Sequence, residues 1–153
     1  MNEPNGLIKL SLFIGVVLTC FSFLPWHYNL ETAEIQAQKE QKYILLNFSG
    51  SDWCGPCMRL EKEIFESSPF LTFADTSLIM VNADFPRNKR NQLPKKQQDI
   101  NNDMADKYNM NGIFPFTLLL NDHGKVLKSW EGLPNLKPEE FVLEIKSIVN
   151  RDK

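Results

Sequence analysis

Two cysteines three positions apart, Cys54 and Cys57, are the residues of this chain best suited to chemistry. A pair at that spacing can bind a metal, attach a haem, close a structural cross-link or exchange electrons as dithiol and disulfide. Haem attachment requires histidine directly after the second cysteine, and Met58 stands there. A structural zinc site requires four ligands, and beyond the pair the sequence offers only Cys20, His27 and His123, two of them in or beside an apolar leader. No bound metal or cofactor is therefore expected. A buried cross-link without turnover is the plain alternative to redox exchange, and the setting of Trp53-Cys54-Gly55-Pro56-Cys57 between an apolar run and a helical pattern weighs against it.

Disulfide exchange needs a thiolate near neutral pH, a second thiol to expel the bound partner, and access for a foreign disulfide. Cys54 is expected at a helix N-terminus. There, unpaired N–H groups and the helix dipole favour negative charge and pull a thiol below its free pKa of about 8.5. Cys57 comes round to the same side of the first turn, close enough to attack a mixed disulfide. Pro56 suits the position because its missing N–H would be unpaired there anyway.

The elements that must hold this pair can be read from periodicity. Leu30, Ala33 and Ala37 in a segment rich in Glu, Gln and Lys predict a surface helix over 31–41. Tyr43 to Phe48 is a short, nearly continuous apolar run, as in a strand covered on both faces, and Ser49 to Asp52 is a loop. Cys57, Leu60 and Ile64 give one apolar helical face, with Arg59, Glu61, Lys62 and Glu63 largely on the other. Leu78 to Asp84 reads as a second buried strand, and Ile100, Met104 and Tyr108 mark a helix. Phe116 to Leu120 and Val126 to Trp130 flank the turn Asn121-Asp122-His123-Gly124 as an antiparallel pair. Pro138, followed by Phe141, Ile145, Ile148 and Val149, opens a closing amphipathic helix. The pattern is α/β, with a mixed central β-sheet flanked by helices.

Trp53-Cys54-Gly55-Pro56-Cys57 on a strand–loop–helix, followed by Gly112-Ile113-Phe114-Pro115-Phe116-Thr117 before an apolar strand, resembles thioredoxin over about residues 30–150. The resemblance implies a thioredoxin-like fold, Cys54 as nucleophile and Cys57 as resolving thiol. It also implies a cis bond before Pro115, packed beside the cysteines, and a Phe114 backbone that pairs with an extended substrate segment. Trp53, Gly55, Pro56, Phe114 and Pro115 are thus the candidate substrate-binding residues. The segment from Pro86 to Lys96 and the phrase Asn47 to Cys54 are most similar to exported, single-domain thioredoxin-like proteins of bacteria.

One departure concerns proton transfer. Thioredoxins carry a buried Asp in the strand before the motif, and the matching position here is Asn47, which cannot ionise. Asp52 or a water is the candidate substitute, and Asn47→Asp is expected to speed resolution. If Asn47 is only structural, it satisfies a strand-end hydrogen bond. Arg87, Lys89, Arg90, Lys95 and Lys96 form a basic loop, read either as solvated surface or as a dock for an acidic partner. Trp53 is expected to cover apolar substrate surface or simply to pack, and His123 is a turn residue.

Residues 1–26 read as a leader and 27–153 as the domain. From Leu7 to Leu24 the only charge is Lys9. The apolar run from Leu10 suits an export signal, and with Leu7 and Ile8 it approaches the roughly 20 residues of a spanning anchor. Cys20-Phe21-Ser22 is a poor cleavage site, which favours a retained anchor over a signal peptide. Val17-Leu18-Thr19-Cys20 resembles a lipoprotein box, although Thr19 is bulkier than the usual Gly or Ala. A net charge of −2 and the lack of any recognised motif exclude nucleic acid as a partner.

The expectation is an extracytoplasmic (periplasmic) thiol–disulfide oxidoreductase acting on protein thiols and disulfides, working as a reductant and supplied by a membrane electron-donor protein. Its soluble domain is expected to be monomeric. The alternative is a thioredoxin-like binding module or copper-carrying protein with little redox turnover.

Overall fold

The computed structural model describes residues 25–152; the leader up to Leu24, with Cys20, lies outside them. The apolar run of β2 (Tyr43–Ser49) and that of β3 (Leu78–Asp84) pair in parallel, Tyr43 opposite Leu78 and Ser49 opposite Asp84. Alternate side chains leave opposite faces of a strand, so each run supplies two cores. Leu45, Leu78 and Met80 face one cluster, and Ile44, Leu46, Phe48, Ile79 and Val81 the other.

The hairpin β4 (Phe116–Leu120) and β5 (Val126–Glu131) adds antiparallel to β2, and β1 (Trp26–His27) adds parallel to β3, giving the order β1-β3-β2-β4-β5. Trp26, placed with the leader from the sequence, already pairs with Met80. A two-residue strand is too short to leave a periodic signal.

On the first face lie α2 (Gly55–Leu60), α3 (Ser68–Ser77) and α5 (Pro138–Asp152), which bring Leu60, Phe70, Ala74, Phe141 and Ile145 onto the sheet. On the second face lie α1 (Leu30–Glu40) and α4 (Lys95–Tyr108), with Ala33, Ala37 and Met104. Asn29 caps α1 by accepting from the Thr32 N–H, and Gln41, expected inside the helix, instead ends it in the left-handed region at φ 54°. The helix that begins after Cys54 does not run evenly. It widens into a π turn at Glu61–Phe65, closed by Glu66 N–H to Glu61 O, so consecutive Ile64 and Phe65 are both buried. α3 and this widened turn had no counterpart in the sequence reading. Among the described residues no helix is long and apolar enough to cross a membrane.

Candidate active site

Because β2 and β3 run parallel and in register, the loops that leave their C-terminal ends emerge side by side, and they are laced together. Phe85 N–H donates to Ser49 O. Asp84, the last residue of β3, accepts from Ser51 N–H at 2.8 Å, from Ser51 Oγ at 2.6 Å and from Ser49 Oγ at 3.2 Å. In return Asp52, on the loop after β2, accepts from the N–H groups of Arg87 and Asn88, both at 2.9 Å, and from Asn91 Nδ2 at 3.0 Å. Two carboxylates thus staple each loop to the other.

The cysteines leave this platform at the start of α2. Cys54 is the N-cap residue, and Cys57 N–H donates to its Sγ at 3.2 Å. The two are joined by a disulfide, with their Cα atoms 5.2 Å apart. They expose only 4% and 5% of their surface, while Gly55 and Pro56 form an exposed lip beside them. An N–H of the first helical turn aimed at Cys54 Sγ is the arrangement that would stabilise a thiolate there.

Trp53 is fixed on several sides. Its Nε1 donates to Phe85 O at 2.7 Å, and its ring meets Phe114 edge-on at 5.4 Å between centroids. The Arg87 guanidinium lies 3.6 Å from its centroid. Gly50 is obligatory, since a Cβ there would stand 2.3 Å from the indole. Phe114 also meets Phe85 edge-on at 5.5 Å. The Phe114–Pro115 peptide bond is cis, and Pro115 is buried. Pairing of Phe48 with Phe116 brings this bond to the same end of the sheet as the cysteine motif. Asn109 shapes the approach by clasping both backbone groups of Ile113, and Gly112 turns the chain at φ 61°.

Asn47 is 6% exposed and sits in a polar seam beneath the motif, accepting from Thr117 Oγ1 at 3.1 Å and donating to Asn82 Oδ1 at 3.2 Å. Both bonds run within the sheet, to neighbours on β4 and β3. Asp52, the suggested substitute base, is committed elsewhere. The bonds from Arg87 N–H, Asn91 and Asn88 N–H hold its carboxyl below the usual carboxylate range, where it accepts protons poorly. Glu61, at the first position after α2, goes the other way. Partial loss of hydration raises its carboxyl, and the charges of Glu66 and Asp84 add to the rise. Neither Asp84 nor Glu61 stood out in the sequence, because an acidic residue at a strand end or on a helix reads as solvated surface. Among the described residues no cluster of three or more His, Cys, Asp or Glu could hold a metal ion.

Residues 30–147 match the family model described as a thioredoxin-like domain. The chain is 36% identical over 104 residues to the disulfide bond reductase DsbH of Chlamydia pneumoniae, a match covering 68% of this chain and 60% of that protein. It is 25% identical over 105 residues to the thioredoxin-related protein DsbJ of the same organism, covering 69% of this chain and 30% of that one. The chain thus matches less than two thirds of either relative's length. A solved structure of a DsbH oxidoreductase superposes with a TM-score of 0.74 at 31% identity, covering 83% of this chain and 85% of the other.

Proposed function

The chain belongs to the thioredoxin-like family, and from that premise we propose that it is a thiol–disulfide oxidoreductase that reduces disulfides of protein substrates outside the cytoplasmic membrane. The observation that carries the reading is Cys54 at the helix N-terminus with the Cys57 N–H directed at its sulfur. In the reduced protein the Cys54 thiolate attacks one sulfur of a substrate disulfide, forming a mixed disulfide and releasing one substrate thiolate. Cys57, deprotonated, then attacks Cys54 Sγ. The Cys54–Cys57 disulfide forms, the second substrate thiolate leaves, and two electrons have passed to the substrate, whose thiolates take up protons.

The lip of Gly55 and Pro56 and the wall of Trp53 and Phe114 bound the approach. The backbone of Phe114, next to the cis bond, is the strand-like edge against which an extended substrate segment pairs. Asp52, whose proton affinity is lowered by the N–H groups it accepts from, is poorly suited to take the proton of Cys57. The apolar leader supports export or anchoring, and Gly-Pro between the cysteines, with a relative named as a disulfide bond reductase, supports the reducing direction. A reductant in an oxidising compartment needs an electron supply, and a membrane donor protein fits the leader. The pair itself is the redox centre, with no added cofactor.

Equilibration of the pair with glutathione tests the direction. A reductant should give a potential near about −270 mV, and a value near about −120 mV would make the protein a donor of disulfides instead.

A further inference from the structure

Arg87 is held on Trp53 by contacts that leave its guanidinium without an ion pair among the described residues. Its guanidinium covers Trp53, the residue directly before Cys54, and Trp53 is itself locked by Phe85 O, Phe114 and Gly50. The Arg87 backbone is pinned by Asp52, and the turn that follows is pinned as well: Asn88 Oδ1 accepts from Arg90 N–H at 3.0 Å, and Gln92 Nε2 donates to Pro86 O at 2.8 Å. Lys89 and Arg90 therefore stand on a fixed 3-10 turn, Lys89–Asn91. Among the described residues no carboxylate forms an ion pair with the side chain of Arg87, Lys89 or Arg90, whereas Lys95 pairs with Asp99 in the same basic stretch. The nearby carboxylates are turned inward, Asp52 and Asp84 both onto the loops they staple.

An exposed loop cation is ordinarily just solvated. Arg87 differs because it is already immobilised on a ring, so most of the entropy of holding a long side chain in place for a partner is spent in folding. A guanidinium keeps its planar fork of N–H donors while stacked, and that fork matches a carboxylate.

We infer that Arg87, with Lys89 and Arg90 beside it, selects substrates that carry an acidic side chain next to the reacting cysteine. This rests on the oxidoreductase reading above and names its substrate class. The carboxylate docks on the Arg87 fork at the rim of Trp53, which aligns the substrate segment with the lip at Gly55 and Pro56. It changes only which disulfides reach Cys54, not the exchange that follows.

The test uses the full 153-residue chain, reduced, in a nonionic detergent. Two disulfide-bonded peptides are compared that differ only in Glu or Gln flanking one cysteine, and the second-order rate of reduction is measured for each. The wild-type protein should reduce the Glu peptide about two- to fivefold faster, the range an exposed ion pair supports. That preference should shrink as salt rises from about 0.05 M to about 0.5 M, because screening shortens the reach of the charge. Arg87→Gln should lower the ratio toward one, and Arg87→Glu should invert it. Lys89→Glu with Arg90→Glu, which leaves the Trp53 cover in place, should lower it in part. Equal rates for the two peptides with the wild-type protein, or a ratio that Arg87→Glu leaves unchanged, overturns the selection while leaving the oxidoreductase reading intact. Failure to reduce either peptide overturns both.

Discussion

At position 47 an aspartate would enter a seam already filled by hydrogen bonds. Its carboxylate would keep the bond from Thr117 but turn a second acceptor toward Asn82 Oδ1, in place of the amide that donates there now. Burial also penalises the charge, so the folded pKa of the new carboxyl rises above its unfolded value of about 3.9. Asn47→Asp should therefore cost about 1–3 kcal/mol at pH 7. The folded state binds the extra proton, so the loss should be small below about pH 4 and grow as pH rises. Urea unfolding at the two pH values checks this, and an equal loss at both would refute the burial argument. Resolution of the mixed disulfide should still quicken, as the comparison with thioredoxin implies, because a carboxylate with raised proton affinity is placed below the motif. Unchanged single-turnover rates would remove any proton-transfer role from the position.

The loops that follow β2 and β3 act as one element, and Asp52 is its clasp. Its lowered carboxyl ties the clasp to pH. The stabilisation is present above the unfolded value, near 3.8, and is lost as pH falls through the depressed folded value. Asp52→Asn places an amide against donors it cannot fully satisfy. The variant should be less stable than wild type at pH 7, and the gap should close as pH falls below the unfolded value and the wild-type carboxyl is protonated. Thermal unfolding across that range reads the gap directly, and a constant gap would mean that the carboxylate charge contributes nothing. Amide exchange at Arg87 or at Asn88 should quicken in the variant at neutral pH, since the amide keeps one oxygen and one of the two N–H groups loses its acceptor.

Across the whole molecule, stability comes from two apolar layers on one sheet, and in one of them four aromatic rings, Phe141 at their centre, meet. Phe141 is fully buried and lies 4.9 Å from Trp130, 6.2 Å from Phe70 and 6.4 Å from Phe65, centroid to centroid. Its removal leaves a hole bounded by rings and helices that cannot all close in. Phe141→Ala should cost about 3–5 kcal/mol in urea unfolding. A loss under about 2 kcal/mol would show that α5 settles onto the sheet and fills the space. The same layer seats Leu60 and Ile64, which hold the helix that carries the cysteines.

Much of this architecture is local and so was legible in the residues. Strand β3 was bounded at Leu78 and Asp84, the hairpin turn at Asn121 to Gly124, and α5 at Pro138, because apolar periodicity and turn chemistry act over a few neighbours. The redox pair was legible for the same reason, since its spacing and its helix start lie within a single turn. What tertiary structure alone decided is which loops meet. Asp52 and Arg87 belong to loops far apart in the sequence, and a hydrogen bond between them leaves no period in either. It exists because β2 and β3 pair in parallel and in register. That pairing places Ser49 beside Asp84, and with it the motif loop beside the basic loop.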